Sequence, residues 1–291
     1  AYTPAYTLTN GQQFSVGGYY TNGDGGGGLF KYDSTSVATT NTGTIFAITS
    51  YAGRVIRIPG TPFYRPEWFG AKPGTTNFDS APAIAACIVQ ATLNGAGTEL
   101  GNGVYYISQD IGALVTPSLT YYETAPRVRG VAPGAYVGGV ETAFGTTIQR
   151  TSETPMFTWA GTDSQIRWGT VFDNVAFHGG RYTNSMVRMR HTKDHFWNNT
   201  SFSFSSGAAI EGLNWWDSTL SGAAFSFTGA TNGSIGSIHL VNTNYFYPVV
   251  LASYVACNNL TFENIRAEPA NVFLYMDGTG GSVPINKIAV R

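Results

Sequence analysis

The 291-residue sequence predicts a mainly β chain, a solenoid carrying one helix and preceded by a small N-terminal β module. Three observations carry that expectation. Thr, Ser and Asn account for 75 residues and Gly for 36 more, whereas Lys appears four times; with many β-branched and aromatic side chains, such a composition favours strands and tight turns. Helical periodicity is confined to a single segment. Short apolar runs recur near 171–177, 200–204, 223–227, 235–241, 248–251, 260–265 and 272–276. Repeats of about 20–50 residues, each too small to bury its own face, imply a solenoid.

Residues 1–65 alternate strand-like runs with turn clusters. Gln12-Phe14-Val16, Leu29–Tyr32, Thr44–Ile48 and Arg54–Ile58 read as strands. Gly23, Gly25 and Gly28 satisfy a G-x-G-x-x-G pattern. A strand follows it, however, so no helix N-terminus is offered to a pyrophosphate, and a glycine loop allowing a tight backbone crossing is the better reading. Next, Ile84, Cys87, Ile88 and Ala91 fall on one helical face. Asp79 or Ser80 can cap the start, Pro82 suits the first turn and Gly95 the stop. Standing before a long β region, this helix is expected to cover the open end of the stack. Beyond it, Phe172-Asp173-Asn174-Val175 echoes Phe262-Glu263-Asn264-Ile265 at an offset of 90, and Asn198–Phe202 echoes Asn258–Phe262 at 60. Recurring Asn suits a turn position that tolerates left-handed backbone and side-chain amide ladders.

With 16 Lys+Arg against 17 Asp+Glu, the chain lacks the basic excess of a nucleic-acid partner. The longest apolar run, Tyr247–Cys257, holds Pro248 and is far shorter than the roughly 20 residues of a membrane helix. Cys87 and Cys257 stand in apolar contexts, as buried free thiols do. No cofactor or metal is called for; His191 and His195 are four apart, but not on a helix. A start without Met and a strand-like finish over Ile285–Arg291 are expected of a piece of a longer polypeptide.

Pro66–Gly74, then Asp79–Ile84, then Gly101–Ile107, resemble the lead-in module of pectate-lyase-like right-handed parallel β-helices, in which a W-F-G-A-K strand leads through an acidic turn into a capping helix and a G-x-Y-x-I first coil. Gly18–Gly28 and Phe30–Asp33 resemble the leader that precedes this module in bacteriophage tailspikes and tail-fibre depolymerases. Where that family has D-G-x-x-D, this chain has Pro73–Asp79. The resemblance implies a leader over 1–65, the lead-in strand, helix and first coil over 66–108, and a β-helix body over 109–291. It further implies a homotrimer in the virion tail, joined to other phage tail or baseplate proteins and acting at the host surface on a bacterial capsular or O-antigen polysaccharide.

The catalytic residues do not transfer by resemblance, so they are sought physically. Glycoside hydrolysis needs two carboxyls about 5–5.5 Å apart for retention, or roughly 6.5–9.5 Å for inversion. Strands in adjacent coils are about 4.8 Å apart, so acids one or two coils apart on one face qualify. Asp217 in Trp215-Trp216-Asp217 is the leading candidate, with Glu211, Glu263 or Glu268 as its partner. On a strand Trp215 shares its face and could stack on a sugar, while Trp216 points the other way. Tyr245 and Tyr247 offer a second platform. Between Arg181 and His195, Val187 and Met189 alternate with Arg188 and Arg190, leaving the arginines outward with Lys193 and His195 next. Such a patch could bind sugar carboxylates, with His195 eligible as base in a β-elimination.

An endo-acting depolymerase, hydrolase ahead of lyase, is one reading; a non-catalytic receptor-binding tail protein is the other. A free secreted pectate lyase or epimerase would want calcium-binding Asp clusters, and none is visible.

Overall fold

The computed structural model describes residues 7–49, 51–119, 125–133, 136–137, 140–141, 145–161, 167–228, 238–243, 257–268, 274–280 and 286–291. Four strands, β1 (Gln13–Val16), β2 (Gly28–Asp33), β3 (Ile45–Phe46) and β4 (Arg54–Arg57), make an antiparallel sheet in the order β1-β2-β4-β3. Phe30, Tyr32 and Val55 form its core. In the glycine loop, the Asp24 carboxylate accepts backbone N–H bonds from Tyr19, Tyr20, Thr21 and Gly26. Those four bonds outweigh desolvation and hold its pKa far below the carboxylate range.

Pro66–Phe69, expected as a strand, is a single 3-10 turn ended by Gly70 at φ 93°. Its start, Pro66, has no N–H to give a strand ladder. The expected helix is present as α1 (Ala81–Leu93), with Ile84, Cys87, Ile88 and Ala91 all buried. Ser80 stands at the N-cap, but the side-chain bond to the first turn comes from Asp79, which accepts from Ala81 N–H at 3.0 Å. Asp79 also binds Ser108 and Gln109, tying the helix start to the end of the strand Gly103–Ile107.

Beyond α1 the protein is mainly β, in parallel ladders visited in a fixed order. The first ladder runs through Arg127–Arg129, Val171–Asp173, Phe196–Asn198, the end of Ile210–Ser221, Asn258–Glu263 and Asn286–Val290. A second joins Gly103–Ile107, Thr146–Arg150, Ala176–His178, Ser201–Ser205, Ala224–Thr228 and Arg266–Glu268. The third joins Phe157–Ala160, Val187–Lys193, the start of Ile210–Ser221, Ile238–Thr243 and Leu274–Gly280. In the first ladder Phe172, Trp197, Leu220, Phe262 and Val290 share one register column, so successive coils take 25, 23, 42 and 28 residues.

The 90-residue echo is thus structural. The 60-residue echo is not, because Phe202 lies on the second ladder and Phe262 on the first. The Asn turn is present: Asn174, Asn199 and Asn264 have φ of 58°, 47° and 53° between the first and second ladders, and Asn199 Nδ2 donates to Asn174 Oδ1 at 2.6 Å. Inside, Phe177, Phe202 and Phe225 stack at 5.2 and 5.1 Å. Each buried ring contributes about 1.5–3 kcal/mol, and their regular stacking sets the coil register. Cys87 and Cys257 are buried free thiols.

Candidate functional site

Strand Val187–Lys193 behaves as its sequence predicts for four residues: Val187 and Met189 are buried, Arg188 and Arg190 face outward. Then the alternation breaks. His191 and Asp194 adopt left-handed backbone, φ 51° and 60°, and each turns the following side chains out of period two. Counting by twos from Val187 and Met189 puts His195 on the inner side, and the two breaks together restore that phase: His195 is 2% exposed. Its Nδ1 accepts the Thr170 N–H at 3.0 Å, and burial lowers its pKa to about 3. Expected to bind substrate or act as base, His195 is instead a neutral core residue.

The next coil passes in register beside this corner. Lys193 pairs in register with Trp216 and Phe196 with Thr219, so the intervening residues correspond as Asp194 to Asp217 and His195 to Ser218. One coil earlier, Trp168 pairs with Lys193 and Val171 with Phe196, placing Gly169 beneath Asp194. The column therefore reads Gly169, Asp194, Asp217. A Cβ on Gly169 would lie 1.8 Å from the Asp194 carbonyl oxygen, so that position admits no side chain. Asp194 and Asp217 stand one strand spacing apart, about 4.8 Å.

Around this pair the corner is open and aromatic. Trp168 is 47% exposed and Phe196 49% exposed. Lys193 Nζ lies 4.3 Å from the Trp168 ring centroid and 3.4 Å from Asp194 Oδ2. Trp216 occupies the same register column as Trp168 and Lys193. The expected platform Trp215 is different: only 3% exposed, it packs edge-on to His195 and Phe262 in the core. Inward Trp215 and Ser218 flank Trp216 and Asp217, as inward Thr192 and His195 flank Lys193 and Asp194.

None of the three acids expected to partner Asp217 shares its column. Glu211 is six residues back on the same strand, up to roughly 20 Å away. Glu263 is in register with Ser221 on the first ladder, and Glu268 with Ser226 on the second. Spread over three ladders, these acids form no dyad with one another. Glu211 is instead bound by cations: Arg190 donates to Oε1 at 2.9 Å, Arg188 Nε is 3.6 Å from Oε2, and Ser185 Oγ donates to Oε2 at 3.0 Å. Burial pushes its carboxyl up, but the two arginines and Ser185 outweigh that and leave its pKa below the ordinary value.

Tyr245 and Tyr247 lie outside the described residues. Among the described residues no group of three His, Cys, Asp or Glu could hold a metal ion, and no helix is long and apolar enough to cross a membrane. Sequence reasoning missed Asp194, Trp168 and Phe196. An alignment at an offset of 23 would have set Lys193-Asp194 on Trp216-Asp217.

Known proteins extend the picture. Residues 2–60 match the phage tail protein small four-stranded β-sheet domain. A stretch of 93 residues is 33% identical to a capsule K2-specific depolymerase of Klebsiella phage vB_KpnP_KpV74, covering 32% of this chain and 16% of that protein. The ORF18 protein of Geobacillus virus E2 superposes with a TM-score of 0.59 at 14% identity, covering 98% of this chain and 50% of that one. A tailspike of Acinetobacter baumannii bacteriophage Fri1, a capsular polysaccharide depolymerase, gives 0.48 at 13% identity, over 90% of this chain and 51% of that one. The chain thus spans about half the length of these solved structures. At its N-terminal end the chain is similar to a phage tail β-sheet domain, and over 93 residues it is similar to a phage capsule depolymerase.

Proposed function

We propose that the chain is part of a phage tailspike or tail-fibre protein that recognises and depolymerises a bacterial capsular or O-antigen polysaccharide by endo-acting glycoside hydrolysis. Its three ladders close into a right-handed parallel β-helix, with α1 capping the N-terminal end. The observation that carries the chemistry is the column of Asp194 and Asp217, one strand spacing apart at a corner bearing exposed Trp168 and Phe196. Acids in register on neighbouring strands, about 4.8 Å apart along the ladder, suit the carboxyl separation of a retaining mechanism. Asp194, ion-paired to Lys193, serves as nucleophile, and Asp217 gives a proton to the leaving oxygen and later takes one from water. Trp168 and Trp216 stack on the sugar rings.

The test is reducing-end release from a panel of purified capsules and O-antigens. Asp217→Asn and Asp194→Asn should each abolish release while thermal stability is kept; unchanged turnover in either variant removes that residue. Absorbance from unsaturated uronates, in place of hydrolytic release, would make the enzyme a lyase. Binding without cleavage of any polymer would leave the receptor-binding reading. Homotrimerisation and attachment to other tail or baseplate proteins through residues 2–60 belong to the same proposal; sedimentation at the 31.1 kDa monomer mass would count against the trimer.

A further inference from the structure

Arg188 and Arg190 stand six and four residues before Asp194 on the same coil, on the outer face of the third ladder. Their neighbours on the preceding coil, Thr158 and Ala160, carry no charge. On the following coil Glu211 is in register with Arg188, and His239 follows it. Among the described residues, Glu211 is the one carboxylate within ion-pair distance of either guanidinium. Two cationic side chains, 25% and 39% exposed, therefore share a single anion. Arg188 Nε and Arg190 Nε are buried donors without a hydrogen-bond acceptor. Arg129 and Arg65 also share one carboxylate, Glu99, but there Arg129 donates through both Nε and Nη2, and Arg150 spends its donors on Gly179, Tyr182, Ser185 and Ser205.

A half-buried cluster with two guanidinium groups and one carboxylate lacks one anion, and a guanidinium fork fits a planar carboxylate in two parallel hydrogen bonds. Glu211 holds the forks apart and in place. Resting on the hydrolase reading above, we infer that Arg188 and Arg190 bind the carboxylate of an acidic sugar residue, a uronate-type unit, placed a few residues along the coil from the Asp194–Asp217 corner. The polymer then runs around the coil, its acidic unit on the arginines and a neighbouring ring against Trp168. The substrate class is an acidic polysaccharide.

The experiment uses purified uronate-containing capsular polysaccharides, each also supplied after chemical reduction of its carboxyls to alcohols, beside neutral polysaccharides. With the wild-type protein, carboxyl reduction should weaken binding at least tenfold, and affinity for the acidic form should fall with salt. Arg190→Gln and Arg188→Gln should each raise Kd for the acidic form about tenfold or more, with little effect on the reduced form. Arg190→Lys, which keeps charge but loses the fork, should fall between. Equal binding of native and reduced polymer by the wild-type protein overturns the inference, and that comparison does not depend on how any variant folds. Cleavage of a neutral polysaccharide that Asp217→Asn abolishes would overturn the acidic-sugar inference and keep the hydrolase. Absence of binding and cleavage across every polymer would overturn both.

Discussion

Replacing His195 with Asn should flatten the acid limb of the protein's stability curve. His195 is enclosed by the edges of Trp197 and Trp215, at 6.5 and 6.3 Å between ring centroids, and its Nδ1 is committed to the Thr170 N–H. Protonation would put a charge in the core and remove that acceptor, which is why burial lowers the pKa from 6.5 to about 3. The unfolded chain takes up its proton near pH 6.5, whereas the folded chain does so only near 3. Below pH 6.5 the unfolded state therefore binds more protons, and stability falls with pH across this window and levels off beneath it. The slope approaches about 1.4 kcal/mol per pH unit well below pH 6.5, and the loss between pH 6.5 and 4.5 is about 2 kcal/mol. Asn keeps an oxygen acceptor for Thr170 and does not titrate. Urea unfolding of both proteins from pH 7 to 4.5 should show the wild type losing about 2.5 kcal/mol more than the variant. His178, lowered to about 4 by burial and by Arg181 and Arg150, titrates in both proteins and cancels in the difference, as do the carboxylates. Parallel stability curves would refute the reasoning.

Arg57 should act as the clamp between the N-terminal sheet and the lead-in turn: it donates to the carbonyls of Gly26, Gly27 and Gly43 and lies 4.5 Å from the ring centroids of both Phe30 and Trp68. Arg57→Met should cost about 3–5 kcal/mol locally, read as faster proteolysis near residues 58–62 with unfolding of the ladders unchanged. At the Asn turn, Asn199→Ala keeps a Cβ in left-handed backbone but loses the short polar side chain that makes Asn tolerant of it, and should cost about 1 kcal/mol besides the amide bond to Asn174. Asn199→Gly should cost only the amide bond, so urea midpoints should rank wild type, Gly, Ala. Asp217→Asn, besides ending cleavage, should hold or raise the melting temperature, because it relieves a like-charge pair.

Local rules made much of the fold legible. The helical face Ile84-Cys87-Ile88-Ala91 and the inward pair Val187 and Met189 follow from periods of 3.6 and 2, which need no knowledge of the rest of the chain. The Asn turns were equally readable, since a left-handed position selects Asn or Gly. What local rules could not supply was phase. His191 and Asp194 each shift the phase, so that Thr192 sits inside and His195 returns to the inner face, and on the next strand inward Trp215 is out of step with inward Ile210 and Gly212. Nor could the coil lengths be read: at 25, 23, 42 and 28 residues they vary enough that the 60-residue echo matched strands of different ladders.

Register, once known, separates structural acids from the candidate dyad. A column of parallel strands places equivalent side chains about 4.8 Å apart, where opposite charges stabilise and like charges destabilise by a few tenths to about 1 kcal/mol. The described ladders mostly obey this: Glu99 faces Arg129, Arg129 faces Asp173, and Arg188 faces Glu211. In a chain with 17 acidic residues among 291, chance seldom stacks two of them, and stability gives no reason to keep them stacked. Asp194 and Asp217 are such a stack, at a corner where Gly169 leaves no side chain below and Trp168 stands exposed beside it. A pair whose register costs stability at an open aromatic corner needs a reason other than stability, and this is why the bond cleavage is proposed for Asp194 and Asp217 and not for the better-bonded Glu211.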